Sequence, residues 1–187
     1  MSEGESRIEG TPTSRIRVVP ATRDQEPILA NLLELYIHDF SEILPIELGQ
    51  DGRFGYKNLS EYWNEPNRHP FLIAVEDKLA GFALVKKAQR LSGSDQFGDD
   101  SVWDMAEFFI VRAHRRNGIG LTAAHQVWRR FPGPWQVRVM QSNRAALHFW
   151  QRAINGFTGH NVDPNSIERD GKTWAVFTFK GHAADEI

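Results

Sequence analysis

The stretch that most restricts the fold of this chain runs from Val102 to Phe131. "VWDMAEFFIV" reads as a mostly buried strand, "RAHRRNGIG" as a basic turn, and "LTAAHQVWRRF" as a helix. Leu121, Ala124, Val127, Trp128 and Phe131 recur at helical spacing on one face of that helix. A strand that feeds an amphipathic helix through a short turn places the helix on a sheet. The turn also has an electrostatic consequence. The first amides of a helix have no partner within it and lie at the positive end of its dipole. Glycine lets an anion approach such amides closely. The amides of Arg116, Asn117, Gly118, Ile119, Gly120 and Leu121 therefore form a main-chain cradle suited to phosphate, to which Arg115 and Arg116 add charge-assisted contacts. No Gly-Lys-Ser/Thr follows, and the six-residue G-x-G-x-x-G spacing is missing, so neither a Walker loop nor a dinucleotide fingerprint is present.

The flanking sequence extends this unit in both directions. "SRIRVVPA" alternates as a first strand, and "TRDQEPILANLLELYIHDFSEIL" has helical periodicity, with Pro27 tolerated in the first turn. "PIELGQDGRFGYKN" is a loop, and "LSEYWNEP" a short helix opened by Ser60. "HPFLIAVEDKLAGFALVKKAQ" predicts a hairpin about "EDK". After the glycine turn and its helix, "WQVRVMQ" alternates as a strand. "NRAALHFWQRAIN" predicts a helix capped by Asn143, bearing the stripe Ala146, Phe149, Trp150, Ala153, Ile154, and closed at Asn155-Gly156. "FTGHNV" and "TWAVFTFK" are expected as the last two strands, with "DPNSIERDG" as the loop between them. The expectation is an α/β (α+β) fold: a mixed sheet of about seven strands with helices on both faces. Residues 1–14 are expected to form a disordered arm, and 15–187 a single domain.

The formal net charge of −2 conceals segregation. Eight arginines and no Asp, Glu or Lys lie between Arg112 and Arg152, whereas Asn31 to Glu65 holds seven acidic residues. A second acidic cluster, Asp95, Asp99, Asp100, Asp104 and Glu107, precedes the turn. One surface should attract anions and another cations. The chain has no cysteine, which excludes disulfides, thiolate metal sites and a cysteine nucleophile, and suits a reducing cytoplasm. No apolar run approaches the length of a membrane helix. The seven histidines show no H-x-H or H-E-x-x-H spacing, so no metal is expected.

The segment "FFIVRAHRRNGIGLTAA" resembles motif A of the GNAT acetyltransferases, whose R/Q-x-x-G-x-G/A signature binds the pyrophosphate of acetyl-CoA. Asn143 to Trp150, "NRAALHFW", resembles the family's second signal, N-x-x-A-x-x-F-Y. The "EFF", "RFPG" and "FW" stretches also resemble a branch of bacterial predicted acetyltransferases. The resemblance covers about Ile16 to Lys180 and implies an acetyl-CoA-dependent N-acetyltransferase with acetyl-CoA as its cofactor. It places the coenzyme along Phe108, Ile110, Val111 and the glycine turn, with a strand N–H between Phe108 and Ile110 donating to the thioester carbonyl. It places Asn143 and Phe149 beside the pantetheine arm. Asn143 also suits a plain N-cap, and the two roles are compatible.

The family tyrosine that protonates the departing thiolate is replaced by Trp150, whose indole N–H keeps its proton. This leaves a non-catalytic acyl-CoA-binding module as an alternative, with a nucleic-acid surface as a weaker one. Deprotonating the acceptor amine calls for a carboxylate. Glu107 is the first candidate and Asp104 the second, and either could instead be a salt-bridged strand residue. The N-terminal helical region (Tyr36, His38, Asp39, Glu42, Tyr62, Trp63) is the implied acceptor wall, and Tyr36, Asp39 and Tyr62 are its candidate contacts. Its acidity suggests a cationic amine, either a small molecule or a peptide. The expected partners include neither nucleic acid nor membrane, and the chain is expected to be a monomer or homodimer.

Overall fold

The computed structural model describes residues 16–91 and 101–183. The expected N-terminal arm, and Asp95, Asp99 and Asp100 of the second acidic cluster, lie outside them. The chain forms β1 (Ile16–Pro20), α1 (Glu26–Phe40), α2 (Glu61–Asn64), β2 (Arg68–Val75), β3 (Lys78–Gln89) and β4 (Ser101–Ile110). These are followed by α3 (Ile119–Arg130), β5 (Gly133–Met140), α4 (Arg144–Thr158), β6 (Asn165–Arg169) and β7 (Lys172–Gly181). The strands make one mixed seven-stranded sheet in the order β1-β2-β3-β4-β5-β7-β6, the α/β architecture expected from the sequence. Among the described residues no helix is long and apolar enough to cross a membrane.

Each face of the sheet has its own core. On one face α3 and α4 bury Val127, Trp128, Trp150, Ile154 and Phe157 against Met105, Val137 and Phe177. On the other, α1 and α2 bury Leu29, Leu33 and Tyr62 against Phe82, Leu84 and Phe109. A fully buried side chain of this size contributes about 1.5–3 kcal/mol, so the two cores fix the three layers firmly. The edge strand β1 is covered by α3. The Val18 N–H donates to Gln126 Oε1 at 3.2 Å, Gln126 Nε2 donates to the Ile16 carbonyl at 3.0 Å, and Arg130 donates to the Val18 carbonyl. Satisfying the open edge in this way blunts edge pairing and sets where the N-terminus of α3 points.

Two details of the C-terminal third depart from the expectation. The last helix does not close at Gly156 but continues to Thr158, where Gly159 caps it in the left-handed conformation. Phe157 explains this: it extends the stripe of Trp150, Ala153 and Ile154 by one turn and packs on Trp128 with ring centroids 5.2 Å apart. Consequently "FTGHNV" is not a strand. The sixth strand forms instead at Asn165–Arg169, inside the expected loop, and pairs with β7 through Asp170 and Gly171. Both residues have positive φ (52° and 69°), as a two-residue Asp-Gly hairpin turn requires.

Two irregularities in β4 create the central cleft. First, β4 runs parallel to β5 but pairs with it only at Trp103–Trp135 and Asp104–Gln136 among the described residues. From Met105 to Ile110 it pairs with β3 alone. The strands diverge, leaving that edge of β4 with main-chain groups facing a gap. Second, the register slips between Leu84 and Val85, so that Leu84 faces Glu107 while Val85 faces Met105. Ala106 is the extra residue of a β-bulge. Three residues apart, Asp104 and Glu107 would occupy opposite faces of a regular strand, but the bulge returns both to the α1 side.

Candidate active site

Glu107 is the centre of a hydrogen-bonded cluster on the α1 face. Tyr36 of α1 donates to its Oε2 at 2.5 Å, and Tyr56 of the α1–α2 loop donates to its Oε1 at 3.1 Å. Tyr62 of α2 lies close enough to Tyr56 and Glu107 to feel both electrostatically. The chain contains three tyrosines, and all three converge here. Burial pushes the Glu107 carboxyl above its ordinary pKa, while the tyrosine hydrogen bonds and nearby Arg138 oppose the rise. Burial, reinforced by the charge of Glu107, pushes Tyr36 well above the usual phenol value, so it remains a donor throughout the working pH range. Tyr56 and Tyr62 are raised for the same reasons.

Asp104 lies further along the same face with only 1% of its surface exposed. Both of its oxygens are engaged by Arg138 of β5, Nε to Oδ1 at 3.2 Å and Nη2 to Oδ2 at 2.7 Å. The pair ties β4 to β5 at the point where they begin to separate. A buried carboxylate demands such a partner, because leaving it unpaired costs several kcal/mol. Of the two candidate bases, then, Glu107 is held by neutral donors and Asp104 by a guanidinium.

The turn after β4 has the shape its glycines suggested. Arg116 (φ 67°) and Gly118 (φ 74°) are left-handed, which turns successive amides toward one side. Gly118 caps α3, and the amides of Ile119, Gly120 and Leu121 fall in the first helical turn, where no helical carbonyl can reach them. The two glycines serve different ends. A side chain at Gly118 would meet open space, so the constraint there is conformational. Gly120 is helical, and a Cβ there would lie 3.1 Å from Phe149 Cε2 and 3.4 Å from Ile110 Cγ1. Its missing side chain lets α3 approach α4 and β4.

Arg115 does not lie over these amides. It donates to the Ile110 carbonyl at 2.6 Å and to Asp39 Oδ2 at 2.5 Å, with its guanidinium 5.2 Å from the centre of the Phe109 ring. Arg112 takes the other oxygen of Asp39 at 2.6 Å. Burial raises the Asp39 pKa, but the two arginines outweigh it and leave the carboxyl below its ordinary value. Asp39, expected as an acceptor contact, thus clamps the turn to the end of α1. Asn143 caps α4, its side chain accepting from the Ala146 amide at 3.0 Å. Phe149 stacks on Phe108 with centroids 5.8 Å apart, and Trp150 is buried edge-on against Phe108 at 5.2 Å.

The structure therefore gathers Glu107, Tyr36 and Tyr62 at one point, and Phe108, Ile110, Phe149 and the glycine turn along the gap beside β4. Val111 follows directly, its amide bonded to the Ala80 carbonyl at 2.8 Å. Sequence reasoning missed Tyr56 and Arg138. The first lay in a loop read only for its turn residues. The second was visible as a cation inside the alternating strand "WQVRVMQ".

A strand pair that opens beside a nest of unpaired amides fits a long, phosphate-bearing thioester, because the gap offers strand donors and the turn an anion cradle. The acetyltransferase (GNAT) family model matches residues 29–157. A GNAT-family acetyltransferase of Streptococcus agalactiae superposes with a TM-score of 0.68 at 11% identity, over 88% of this chain and 95% of that one. Arabidopsis thaliana NAA60 in complex with acetyl-CoA gives 0.55 at 13% identity, over 89% and 98%. The ribosomal-protein-S18-alanine N-acetyltransferase of Escherichia coli gives 0.55 at 13%, over 92% and 97%. No curated protein matches the chain by sequence. With a diverging β4–β5 pair, an amide nest after β4 and a family model covering most of its length, the chain belongs to the GNAT family of acetyltransferases.

Proposed function

We propose that this chain transfers the acetyl group of acetyl-CoA to a primary amine by direct attack while both substrates are bound. One observation carries the reading: Glu107, a carboxylate set between tyrosine hydroxyls, sits on the strand whose free edge leads into the amide nest. Bound acetyl-CoA supplies an activated acyl carbon and a good leaving group. The amides from Arg116 to Leu121 would hold its diphosphate, and Phe149, with the carboxamide of Asn143, would line its arm. A β4 amide between Phe108 and Ile110 would donate to the carbonyl oxygen where negative charge develops.

The proton on the acceptor is the main obstacle. An alkylamine with pKa about 10.4 is free base in only about one molecule in 2,500 at pH 7, a cost of about 4.6 kcal/mol. Glu107 takes this proton. Its upward-shifted pKa makes it a better base than an ordinary carboxylate, while the hydrogen bonds from Tyr36 and Tyr56 favour its ionised form. Asp104 holds Arg138 and positions β5. The chain has no cysteine for a thiol relay, so the amine receives the acetyl group directly. Trp150 packs in the aromatic cluster and gives up no proton. A thiol of pKa about 8.5 departs tolerably as thiolate near pH 7 to 8.

The buried Trp150 also favours a second reading, an acyl-CoA-binding module without turnover. Incubating the protein with acetyl-CoA and a panel of amines, and following thiol release, separates the two. Turnover that falls about 10²–10⁴-fold in Glu107→Gln supports the enzyme. Coenzyme binding with no thiol release on any amine supports the module.

A further inference from the structure

On the α1 face, beyond the reach of α1 and α2, lies a cavity of about 430 Å³ floored by β3, β4 and β5 and walled by the β6–β7 hairpin. Its charged lining is Lys86, Arg138 and Arg169 against Asp104 and Asp170, an excess of one positive charge. Asp104 and Arg138 are matched to each other. Arg169 meets Asp170 at 3.6 Å, both largely exposed, so that pair is weak. Lys86 is different. It stands directly across from Asp104 in the β3–β4 register, yet Arg138 occupies both oxygens of that carboxylate. Among the described residues Lys86 has no ion pair, although its side chain is partly buried.

The cavity shares its face with the proposed base. Leu84 faces Glu107 and Lys86 follows two residues later on β3, a separation of about 7 Å along the strand. A molecule presenting its amine to Glu107 would extend its other end over the Asp104–Arg138 floor toward Lys86 and Arg169. Ile167 and Trp174 supply apolar wall between the charges.

Resting on the acetyltransferase reading above, we propose that the acceptor is zwitterionic: an amine joined through a short apolar spacer to a carboxylate, which Lys86 and Arg169 bind in this cavity. One surplus positive charge matches a carboxylate better than a phosphate, whose charge of about −2 would exceed it. Two acidic residues near the site are neutralised, Asp39 by two arginines and Asp104 by one. The ammonium end of the acceptor still meets a negative group, Glu107.

The test is calorimetric binding to the full chain in the presence of coenzyme A, with thiol release from acetyl-CoA followed in parallel. The probes are ω-aminocarboxylates of increasing chain length and alkylamines of matching length. The expected result is at least tenfold tighter binding of one or more aminocarboxylates than of the matched amines. That ratio should fall to near one in Lys86→Gln/Arg169→Gln, with near-UV circular dichroism unchanged. Equal binding of the two series by the wild type, or a preference for the plain amines, overturns the proposal. So does a preference that survives the double substitution. Turnover of plain amines without any carboxylate preference would leave the acetyltransferase standing and remove the zwitterion. Selective aminocarboxylate binding without thiol release would do the reverse.

Discussion

Replacing Tyr36 by phenylalanine removes a single hydroxyl from the centre of the site and leaves the ring in place. The ring contacts with Phe40, Phe82 and Phe109, at centroid distances of 4.8, 5.8 and 5.9 Å, survive the change. What disappears is the 2.5 Å hydrogen bond to Glu107 Oε2. A hydrogen bond to a charged group is worth about 1.5–3 kcal/mol. At 1.36 kcal/mol per pKa unit, its loss raises the Glu107 pKa by about 1–2 units. The sign follows from the donor favouring the ionised form, so its removal favours protonation. The readout is log(kcat/KM) against pH with a simple alkylamine. Because the acceptor arrives as its ammonium and Glu107 takes the proton, the slope should be one where Glu107 is protonated and fall to zero once it has ionised. In Tyr36→Phe the break should move to higher pH by about 1–2 units. Below it kcat/KM should fall about 10- to 100-fold, and above it the two curves should converge. A break that stays in place, or a parallel loss at every pH, would refute the assignment of Tyr36 as the group that tunes Glu107.

Other expectations follow from the same geometry. Because burial raises the folded-state pKa of Glu107 above its ordinary 4.5, its ionisation opposes folding. That cost is absent at low pH, grows as pH rises from about 4.5 through the raised value, and is constant beyond. Glu107→Gln should therefore gain Tm relative to wild type as pH rises across this window while losing activity, and a Tm difference independent of pH would contradict the burial argument. Gly118→Ala should cost about 1–2 kcal/mol in denaturant unfolding, because the left-handed φ of 74° is strained for a residue with a Cβ, although nothing obstructs the side chain. Asn143→Ala should cost about 0.5–2 kcal/mol by loss of the cap on Ala146, with Asn143→Asp recovering most of it.

Much of the fold was legible in the sequence, for identifiable reasons. The hairpin about "EDK", the buried β4 and the stripe on α3 each carry a periodicity that matches their burial. The Pro, Asn and Gly punctuation around them fixes most boundaries. The end of α4 was misread because Gly156 resembled a stop, whereas the apolar stripe continued through Phe157 and the left-handed glycine was Gly159. The Asp170-Gly171 pair was an available hairpin signal, and reading it would have found β6. The shape of the glycine turn was legible because backbone geometry writes itself in glycines. The hydrogen-bonded cluster around Glu107 was only half legible. Glu107 stood out as a charge in an apolar strand, but its face depends on a bulge at Ala106 that no side chain announces. Tyr56 reaches Glu107 from 51 residues away, through a loop whose path the local sequence does not encode.

The account rests on the coenzyme lying in the β4–β5 gap with its diphosphate on the nest after β4. Titration calorimetry with coenzyme A tests this most directly, comparing the wild type with Gly118→Val/Gly120→Val. Valine at Gly118 strains the left-handed cap, and at Gly120 it displaces Phe149. The account predicts saturable one-to-one binding by the wild type, weakened at least tenfold in the double variant at a temperature where both are folded. An absence of binding by the wild type, or equal affinity in the two proteins, would contradict it.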